Sequence, residues 1–162
     1  MDYRGLLYIG LMIDKAGDPF VIEFNARFGD PETQCLLLRM KSDLYPLCLA
    51  TAKKTLEKAK TPEWDTQTSL FVVAAAPGYP SKPQTGAVID GNFVLPEDSR
   101  VFYSGVKQVD GKLVTGGGRV LGVGSLGKNR EEAARKVYSV LERIHWNGIH
   151  YRKDIGILRE AK

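Results

Sequence analysis

The sequence contains few of the residues that mark disulfide-rich or zinc-binding proteins. Its 162 residues include only two cysteines and two histidines. Cys35 and Cys48 lie in apolar stretches, without a Cys-x-x-Cys pair or a neighbouring histidine, so neither a disulfide framework nor a zinc site is expected. We predict that both are reduced residues of the core. His145 and His150 lack the i, i+4 spacing of a zinc-binding helix.

Long apolar runs and clusters of charge are also missing. No apolar run approaches the ~20 residues of a membrane-spanning helix, and the start of the chain, MDYRGLLYIG, lacks the features of a signal peptide. A cytoplasmic location without a membrane partner is therefore expected. The net charge is +4, but the basic residues are interspersed with 19 acidic ones. This pattern does not predict a nucleic-acid partner, and it suits small anionic ligands.

The length of the chain and a change in its local sequence pattern predict two domains. A chain of 162 residues with 43% hydrophobic residues can build one ordinary domain or two small lobes. The segment KAKTPEWD, residues 58–65, is the best boundary, because short strands with Gly and Pro turns replace helical patterns after it. We predict a mixed α/β fold (α+β) with domains at residues 1–61 and 62–162.

Three helices and one hairpin can be placed from local patterns. Residues 6–14 and 19–26 are apolar runs joined by a turn at 15–18, which predicts a β-hairpin. One helix is expected to begin near Glu32, and another after Asp43 through LYPLCLATAKKTLEKA. Asn129 with Glu132 three residues later predicts the cap of a last helix that ends near Ile144.

The stretch VIEFNARFGDPE places polar side chains on an apolar strand. Glu23 and Asn25 are two residues apart, so their side chains point to the same side of a strand, with Arg27 next in the row. A carboxylate and an amide oxygen together suit a magnesium ion that also binds nucleotide phosphates. An exposed polar strand face explains the same spacing equally well.

A glycine run supplies a second candidate. Gly116, Gly117 and Gly118 precede Arg119 at the start of a predicted strand, and glycines there permit close approach of a ligand to the backbone. Glycine runs more often serve a turn, and this one lacks the spacing of a dinucleotide or phosphate-binding loop. We therefore keep Gly117 and Arg119 as substrate-binding candidates beside the turn interpretation.

These motifs together resemble one enzyme family. The run VIEFNARFGDPETQ, preceded by YRGLLYIGLMI and followed by LLLRMKSDLYPLCLA, resembles the end of the ATP-grasp domain of the glycinamide ribonucleotide synthetases. GYP, TGAVI, VFYSGVK, GGRVL and the terminal YRKDIG are similar, in order, to the C-terminal domain of that family. The resemblance spans essentially the whole chain. It implies the C-terminal part of an ATP-grasp domain followed by a small mixed β/α domain.

The resemblance also implies a reaction and its cofactors. The family joins 5-phosphoribosylamine to glycine with ATP and Mg²⁺ (or Mn²⁺), through a glycyl phosphate, in purine biosynthesis. Glu23 and Asn25 match its metal ligands, and Arg27 matches an arginine near the reacting acyl phosphate in related ligases. The alternative for Arg27 is an ion pair with Asp30 or Glu32.

Further substrate contacts follow from the same resemblance. Asp30 and Glu32 are candidates to hold the substrate amine or ribose hydroxyls, or else to orient Arg27 or cap the next helix. Arg152 and Lys153 resemble a basic pair that related purine enzymes use on a ribose phosphate. A salt bridge between Arg152 and Asp154 is the simpler explanation of that pair.

The family's nucleotide-binding loop and phosphate-gripping lysines have no counterpart in the sequence. We therefore expect a fragment or one part of a split enzyme, whose partner is the missing N-terminal half and which is inactive alone. Two alternatives stay open. One is another ATP-grasp ligase, of the carboxyaminoimidazole ribonucleotide synthetase or biotin carboxylase type. The other is a non-catalytic binding module.

Overall fold

A computed structural model describes residues 3–157, which pack as two compact units. The first unit contains residues 3–33 and 40–65, and the second contains residues 34–39 and 66–157. Helices and strands occur in both units, as a mixed α/β fold requires. None of the helices described is both long and apolar enough to cross a membrane. The predicted division into an ATP-grasp part, residues 1–61, and a C-terminal domain, residues 62–162, stays a prediction.

An antiparallel hairpin is the main element of the first unit. Strand β1 (Tyr8–Ile13) pairs with strand β2 (Pro19–Asn25). In the turn between them, the Asp14 carboxylate accepts the backbone N–H groups of Ala16 at 2.8 Å and Asp18 at 2.9 Å. A short acidic side chain that bonds backbone amides two and four residues on stabilises a tight turn. The hairpin predicted from the sequence is confirmed.

The hairpin contains a β-bulge. Gly10 lies opposite Glu23, whereas the next residue of β1, Leu11, lies opposite Val21. Ile22 is therefore an extra residue on β2 without a partner of its own. The bulge separates the end of the hairpin that carries Glu23 from the end that carries the turn.

The two central helices are short. Helix α1 (Glu32–Arg39) begins where the sequence predicts, and Thr33 donates both its backbone N–H and its hydroxyl to the carbonyl oxygen of Gly29. Helix α2 (Tyr45–Ala52) also begins as predicted. It ends earlier than expected, because Lys54 has a left-handed φ of 56° that stops the helix. A 3₁₀ turn, Leu56–Lys58, occupies part of the remaining segment.

Within the described residues neither cysteine forms a disulfide, as the sequence predicts, but their burial differs from the prediction. Cys35 is half-buried and Cys48 is exposed. Cys48 lies on α2 and lines an open apolar groove together with Leu44, Leu47 and Leu56. The predicted core position of Cys48 is therefore wrong, because α2 turns this side chain toward the groove.

The second unit is built on an antiparallel sheet. Its strands are β3 (Thr68–Ala75), β4 (Asp90–Gly91), β5 (Ser99–Tyr103), β6 (Val106–Val109), β7 (Lys112–Thr115), β8 (Arg119–Gly127), β9 (Ile144–His145) and β10 (His150–Tyr151). Four of them form one sheet in the order β10-β3-β8-β5. The pairs β4–β9 and β6–β7 form two small separate ladders.

The core of the second unit lies between the sheet and helix α3 (Arg130–Leu141). Val72 of β3, Val123 of β8 and Val137 of α3 are fully buried. The ring of Phe71 lies against Gly122, where any added Cβ would collide with it. The glycines of β8 therefore give aromatic side chains room beside the sheet.

Helix α3 begins with a capping box. The Asn129 side chain accepts the backbone N–H of Glu132 at 2.9 Å, and the Glu132 carboxylate accepts the backbone N–H of Lys128 at 2.9 Å. The hydrogen bond from Lys128 lowers the pKa of Glu132. The predicted start is confirmed. The helix ends at Leu141 instead of near Ile144, because Ile144 pairs with Gly91 in the β4–β9 ladder.

We expect the Asn129→Ala substitution to lower the free energy of unfolding by about 1 kcal/mol, because it removes the acceptor for a backbone N–H at the helix start. Denaturant unfolding followed by circular dichroism measures this change. The control is Asn147→Ala, which replaces an exposed asparagine outside the helix and should change stability by less than about 0.5 kcal/mol. Equal effects of the two substitutions would contradict the capping role.

Candidate metal and substrate site

One face of the hairpin carries the two predicted metal ligands. Tyr8 lies opposite Asn25, and Gly10 lies opposite Glu23. Paired residues share a face of the ladder, as do residues two apart on one strand. Glu23 and Asn25 therefore stand on one face beside Tyr8. Asn25 is half-buried and Glu23 is exposed.

The donor set suits magnesium. In residues 3–157 no hydrogen bond or ion pair occupies the side-chain oxygens of Glu23 or Asn25. The same residues contain no cluster of three or more His, Cys, Asp or Glu side chains that could hold a metal ion. Magnesium commonly takes one or two protein oxygens and completes its shell with phosphate and water. One carboxylate and one amide oxygen on a shared face match that pattern.

Gly10 leaves room for the Glu23 side chain. A Cβ added at Gly10 would lie 3.1 Å from Cγ of Glu23, closer than most real Cβ contacts. A glycine inside a strand commonly marks such a close approach. The side chain of Glu23 thus leans across β1 at the position where β1 has no side chain.

Tyr8 connects this face to the loop that follows β2. Its hydroxyl donates to Oε1 of Glu32 at 3.3 Å. The negative charge of Glu32 is the main cause that raises the pKa of Tyr8, and Glu23 adds a smaller effect in the same direction. Gly29 is buried beneath both side chains, and a Cβ there would lie 3.1 Å from the Tyr8 ring and would collide with Oε2 of Glu32.

Arg27 lies just beyond the end of β2. Its guanidinium donates to the carbonyl oxygen of Phe28 at 2.7 Å, and the side chain is exposed. Within the described residues it makes no ion pair with Asp30 or Glu32. The structure therefore gives no support to an ion pair as the main role of Arg27, and its catalytic role stays a prediction.

The glycine run of the second unit is packed against its surroundings. A Cβ on Gly117 would lie 3.2 Å from Cα of Gly105, and one on Gly118 would lie 2.5 Å from the ring of Tyr79. These contacts explain at least two glycines by close packing of the backbone. The contact of Gly117 with substrate stays a prediction.

The basic candidates of the second unit lie near one end of its sheet. Ala75 of β3 pairs with Arg119 of β8 on one side and with His150 of β10 on the other. Neighbouring strands are about 4.8 Å apart, so the backbones of Arg119 and His150 are about 10 Å apart. Arg152 and Lys153 follow directly after β10.

Arg152 already has a strong partner. Its Nε donates to Oδ1 of Asp154 at 3.0 Å, and a terminal nitrogen donates to Oδ2 at 2.9 Å. This two-point contact raises the pKa of Arg152. The hydroxyl of Tyr138 donates to the carbonyl oxygen of Arg152 at 3.0 Å and accepts the backbone N–H of Ile155 at 3.1 Å. The YRKDIG segment is thereby fixed against helix α3.

Sequence reasoning missed Tyr8, Gly10 and Gly29. Tyr8 is separated from Glu32 by 24 positions, so no local pattern connects them. The available signal was the hairpin itself, because a predicted pairing of its strands places residues of β1 opposite Glu23 and Asn25. A glycine inside an otherwise apolar strand, such as Gly10, was a second signal.

The comparison with protein families gives two matches. Residues 69–158 match the family described as phosphoribosylglycinamide synthetase, C domain. Residues 1–33 match the family described as phosphoribosylglycinamide synthetase, ATP-grasp (A) domain. The first match covers more than half of the chain, and the second contains the hairpin and the Gly-Asp-Pro-Glu loop.

Curated relatives agree with these matches. The chain is 54% identical over 159 residues to the phosphoribosylamine–glycine ligase of Escherichia coli O157:H7, which covers 95% of this chain and 36% of that protein. It is 47% identical over 158 residues to the ligase of Vibrio vulnificus (strain CMCP6), with the same two coverages. The chain thus spans about a third of the length of these relatives.

Two solved structures are similar in fold. The phosphoribosylamine–glycine ligase of Thermotoga maritima gives a TM-score of 0.75 at 39% identity, over 91% of this chain and 36% of that one. A biotin carboxylase domain from Hydrogenobacter thermophilus, crystallised with MgADP and bicarbonate, gives 0.60 at 14% identity over 90% of this chain and 32% of that one. The second likeness concerns the fold alone. Together they confirm the predicted ATP-grasp fold class.

Proposed function

Because the chain belongs to the phosphoribosylglycinamide synthetase family, we propose that it is the C-terminal part of an ATP-dependent carbon–nitrogen ligase. The complete enzyme would join 5-phosphoribosylamine to glycine through a glycyl phosphate, in purine biosynthesis in the cytoplasm. The chain spans 36% of its relatives, so this activity belongs to the longer protein. The chain alone is expected to be inactive.

The main support for this proposal is the pair of side-chain oxygen ligands on the hairpin. Glu23 and Asn25 share one face of β2, and no hydrogen bond within residues 3–157 occupies their side-chain oxygens. We assign them to a Mg²⁺ or Mn²⁺ ion that also binds ATP phosphates. Such an ion supplies charge neutralisation while a phosphoryl group passes to a carboxylate. The hairpin contributes the fixed spacing of the two donors.

Arg27 is assigned to the reacting acyl phosphate. Its guanidinium makes one hydrogen bond, to the Phe28 carbonyl, and the side chain is exposed, so its other N–H groups are accessible to a ligand. A planar guanidinium can donate two parallel hydrogen bonds to a phosphate or carboxylate, which an ammonium group does less well. Arg27 would stabilise the charge that develops on the glycyl phosphate.

The remaining candidates are assigned to substrate binding. Asp30 and Glu32 would hold the amine or ribose hydroxyls of phosphoribosylamine, because ionised carboxylates accept N–H and O–H donors. Arg152 and Lys153 would bind a ribose phosphate, and Gly117 and Arg119 would be further substrate contacts. The arrangement of β3, β8 and β10 supports the second assignment, since it places Arg119 and the YRKDIG segment at the same end of a sheet.

The hairpin also suits the proposed partner, the rest of the ligase. Large apolar side chains are exposed along both strands, including Met12 at 58%, Ile22 at 64% and Phe24 at 62%. A two-stranded hairpin is marginally stable by itself in water, and a contiguous exposed apolar surface usually marks an interface. We propose that the N-terminal part of the ligase covers this surface.

The proposed division of the site can be tested by measuring ATP binding to the chain alone. We expect weak or no binding of ATP in the presence of Mg²⁺, because the donor pair is present without the phosphate-gripping lysines of the family. Isothermal titration calorimetry measures this affinity. Addition of the N-terminal part of the ligase should increase it. A tight one-to-one complex of ATP with the chain alone would contradict this division of the site.

The second prediction tests the metal ligands in the full-length ligase. Glu23→Gln should lower turnover sharply at ordinary Mg²⁺ concentration and regain part of it at high Mg²⁺, because a ligand charge is lost while an oxygen is kept. The control is Glu57→Gln, which removes an exposed carboxylate from the 3₁₀ turn and should not alter the Mg²⁺ dependence. Identical Mg²⁺ dependences of turnover for the two variants would show that Glu23 is not a metal ligand.

The third prediction concerns Arg27. In the full-length ligase, Arg27→Lys should lower turnover by roughly tenfold or more, about 1.4 kcal/mol in the barrier, with nearly unchanged ATP affinity. The physical reason is that the second parallel hydrogen bond of the guanidinium is lost where charge develops. Steady-state kinetics and thermal unfolding measure both effects. A lower melting temperature with normal turnover would instead indicate a structural role.

A further inference from the structure

The Tyr8 ring lies between two glycines of the first unit. A Cβ added at Gly10 of β1 would lie 3.7 Å from one edge of the ring, and a Cβ added at Gly29 would lie 3.1 Å from the other edge. Tyr8 thus packs on the hairpin with one edge and on the Gly-Asp-Pro-Glu loop with the other. Its backbone pairs with that of Asn25 across the ladder.

The orientation of Glu32 depends on the same two features. The hydroxyl of Tyr8 donates to Oε1 of Glu32 at 3.3 Å. Oε2 occupies the space above Gly29 that a side chain would otherwise fill. Among the described residues, no second hydrogen bond to the Glu32 carboxylate occurs, and the residue is exposed. One carboxylate oxygen is therefore held internally and the other is available to a ligand.

We propose that Tyr8 is a positioning residue that holds the Glu32 carboxylate so that Oε2 accepts an N–H or O–H donor of phosphoribosylamine. This inference rests on the proposed substrate-binding role of Glu32. An ionised carboxylate only accepts hydrogen bonds, so a donor on one oxygen fixes its rotation and leaves the other oxygen in a defined direction. A fixed acceptor binds its ligand with a smaller loss of side-chain freedom.

Tyr8 also fixes the position of Oε2 of Glu32 relative to the proposed metal ligands. Its backbone is paired with Asn25, and its ring leans toward Gly10, which faces Glu23. The proposed metal donors and the proposed substrate acceptor are thus connected through one rigid aromatic ring. An amine that must attack an acyl phosphate beside the metal requires such a fixed spacing.

The test uses the full-length ligase with the variants Tyr8→Phe, Glu32→Gln and the double variant. Tyr8→Phe keeps the ring and removes the hydroxyl. We expect it to raise KM for phosphoribosylamine about threefold to tenfold, with kcat and KM for ATP changed less than about twofold. The double variant should be no worse than Glu32→Gln, because both changes remove one interaction.

The matched control is Tyr3→Phe. The Tyr3 hydroxyl donates to the carbonyl oxygen of Leu6 at 2.7 Å, so this variant also removes a hydrogen-bonded hydroxyl from the first unit. It should leave KM for phosphoribosylamine unchanged. A structural role for the Tyr8 hydroxyl would lower the melting temperature without a selective change in this KM, and that result would overturn the proposal.

The outcomes separate the two hypotheses. If Glu32→Gln raises KM for phosphoribosylamine and Tyr8→Phe behaves like Tyr3→Phe, the positioning role of Tyr8 is wrong and the role of Glu32 survives. If neither variant changes this KM, both are wrong. A rise confined to KM for glycine would overturn the assignment to phosphoribosylamine.

A spectroscopic measurement checks the contact without reference to activity. In ligase labelled with ¹³C at tyrosine, the signal absent from Tyr8→Phe identifies Tyr8. Because the Tyr8 hydroxyl donates to Oε1 of Glu32, Glu32→Gln should shift this signal at neutral pH, whereas Glu57→Gln should leave it unchanged. An unchanged Tyr8 signal in Glu32→Gln would show that the two groups are not in contact, and would overturn the proposal.

Discussion

The pairing of β1 with β2 is the constraint on which the candidate site depends. It places Tyr8 opposite Asn25 and Gly10 opposite Glu23, so four residues with different tasks meet on one face. The carboxylate and the amide are proposed to bind the cation, the glycine makes room for the carboxylate, and the aromatic ring extends the face to the following loop. A slip of the pairing by one residue would move each side chain of one strand to the opposite face.

The second unit depends on a different kind of constraint. Helix α3 covers a sheet in which Val72, Val123 and Val137 are fully buried, and its capping box fixes where the helix begins. Tyr138 of this helix holds the YRKDIG segment through its hydroxyl. The core therefore also orients the basic residues that we assign to phosphate. The Tyr138 hydroxyl thus connects helix α3, which packs on the sheet, with the segment that we propose to bind phosphate.

The features that the sequence predicted correctly are those with a local cause. The hairpin, the start of α1 and the cap at Asn129 depend on residues within a few positions of one another. The end of α2 did not follow from local pattern, since the left-handed backbone at Lys54 is not encoded by a glycine. The bond between Tyr8 and Glu32 also could not be predicted from local pattern, because only the fold brings the loop back over β1. The ion pair of Arg152 with Asp154 joins residues two positions apart, and the sequence predicts it as the alternative to a phosphate-binding role.

The bulge at Ile22 separates the pairing of the two ends of the hairpin. It lies between the turn and the end that carries Glu23 and Asn25, and it already accommodates one unpaired residue. Insertions or deletions near the turn can therefore be absorbed at the bulge by a local change of pairing, without a change in the partners of Glu23 and Asn25. The turn end of the hairpin can thus change its length by a residue, while the end that carries Glu23 and Asn25 keeps its pairing.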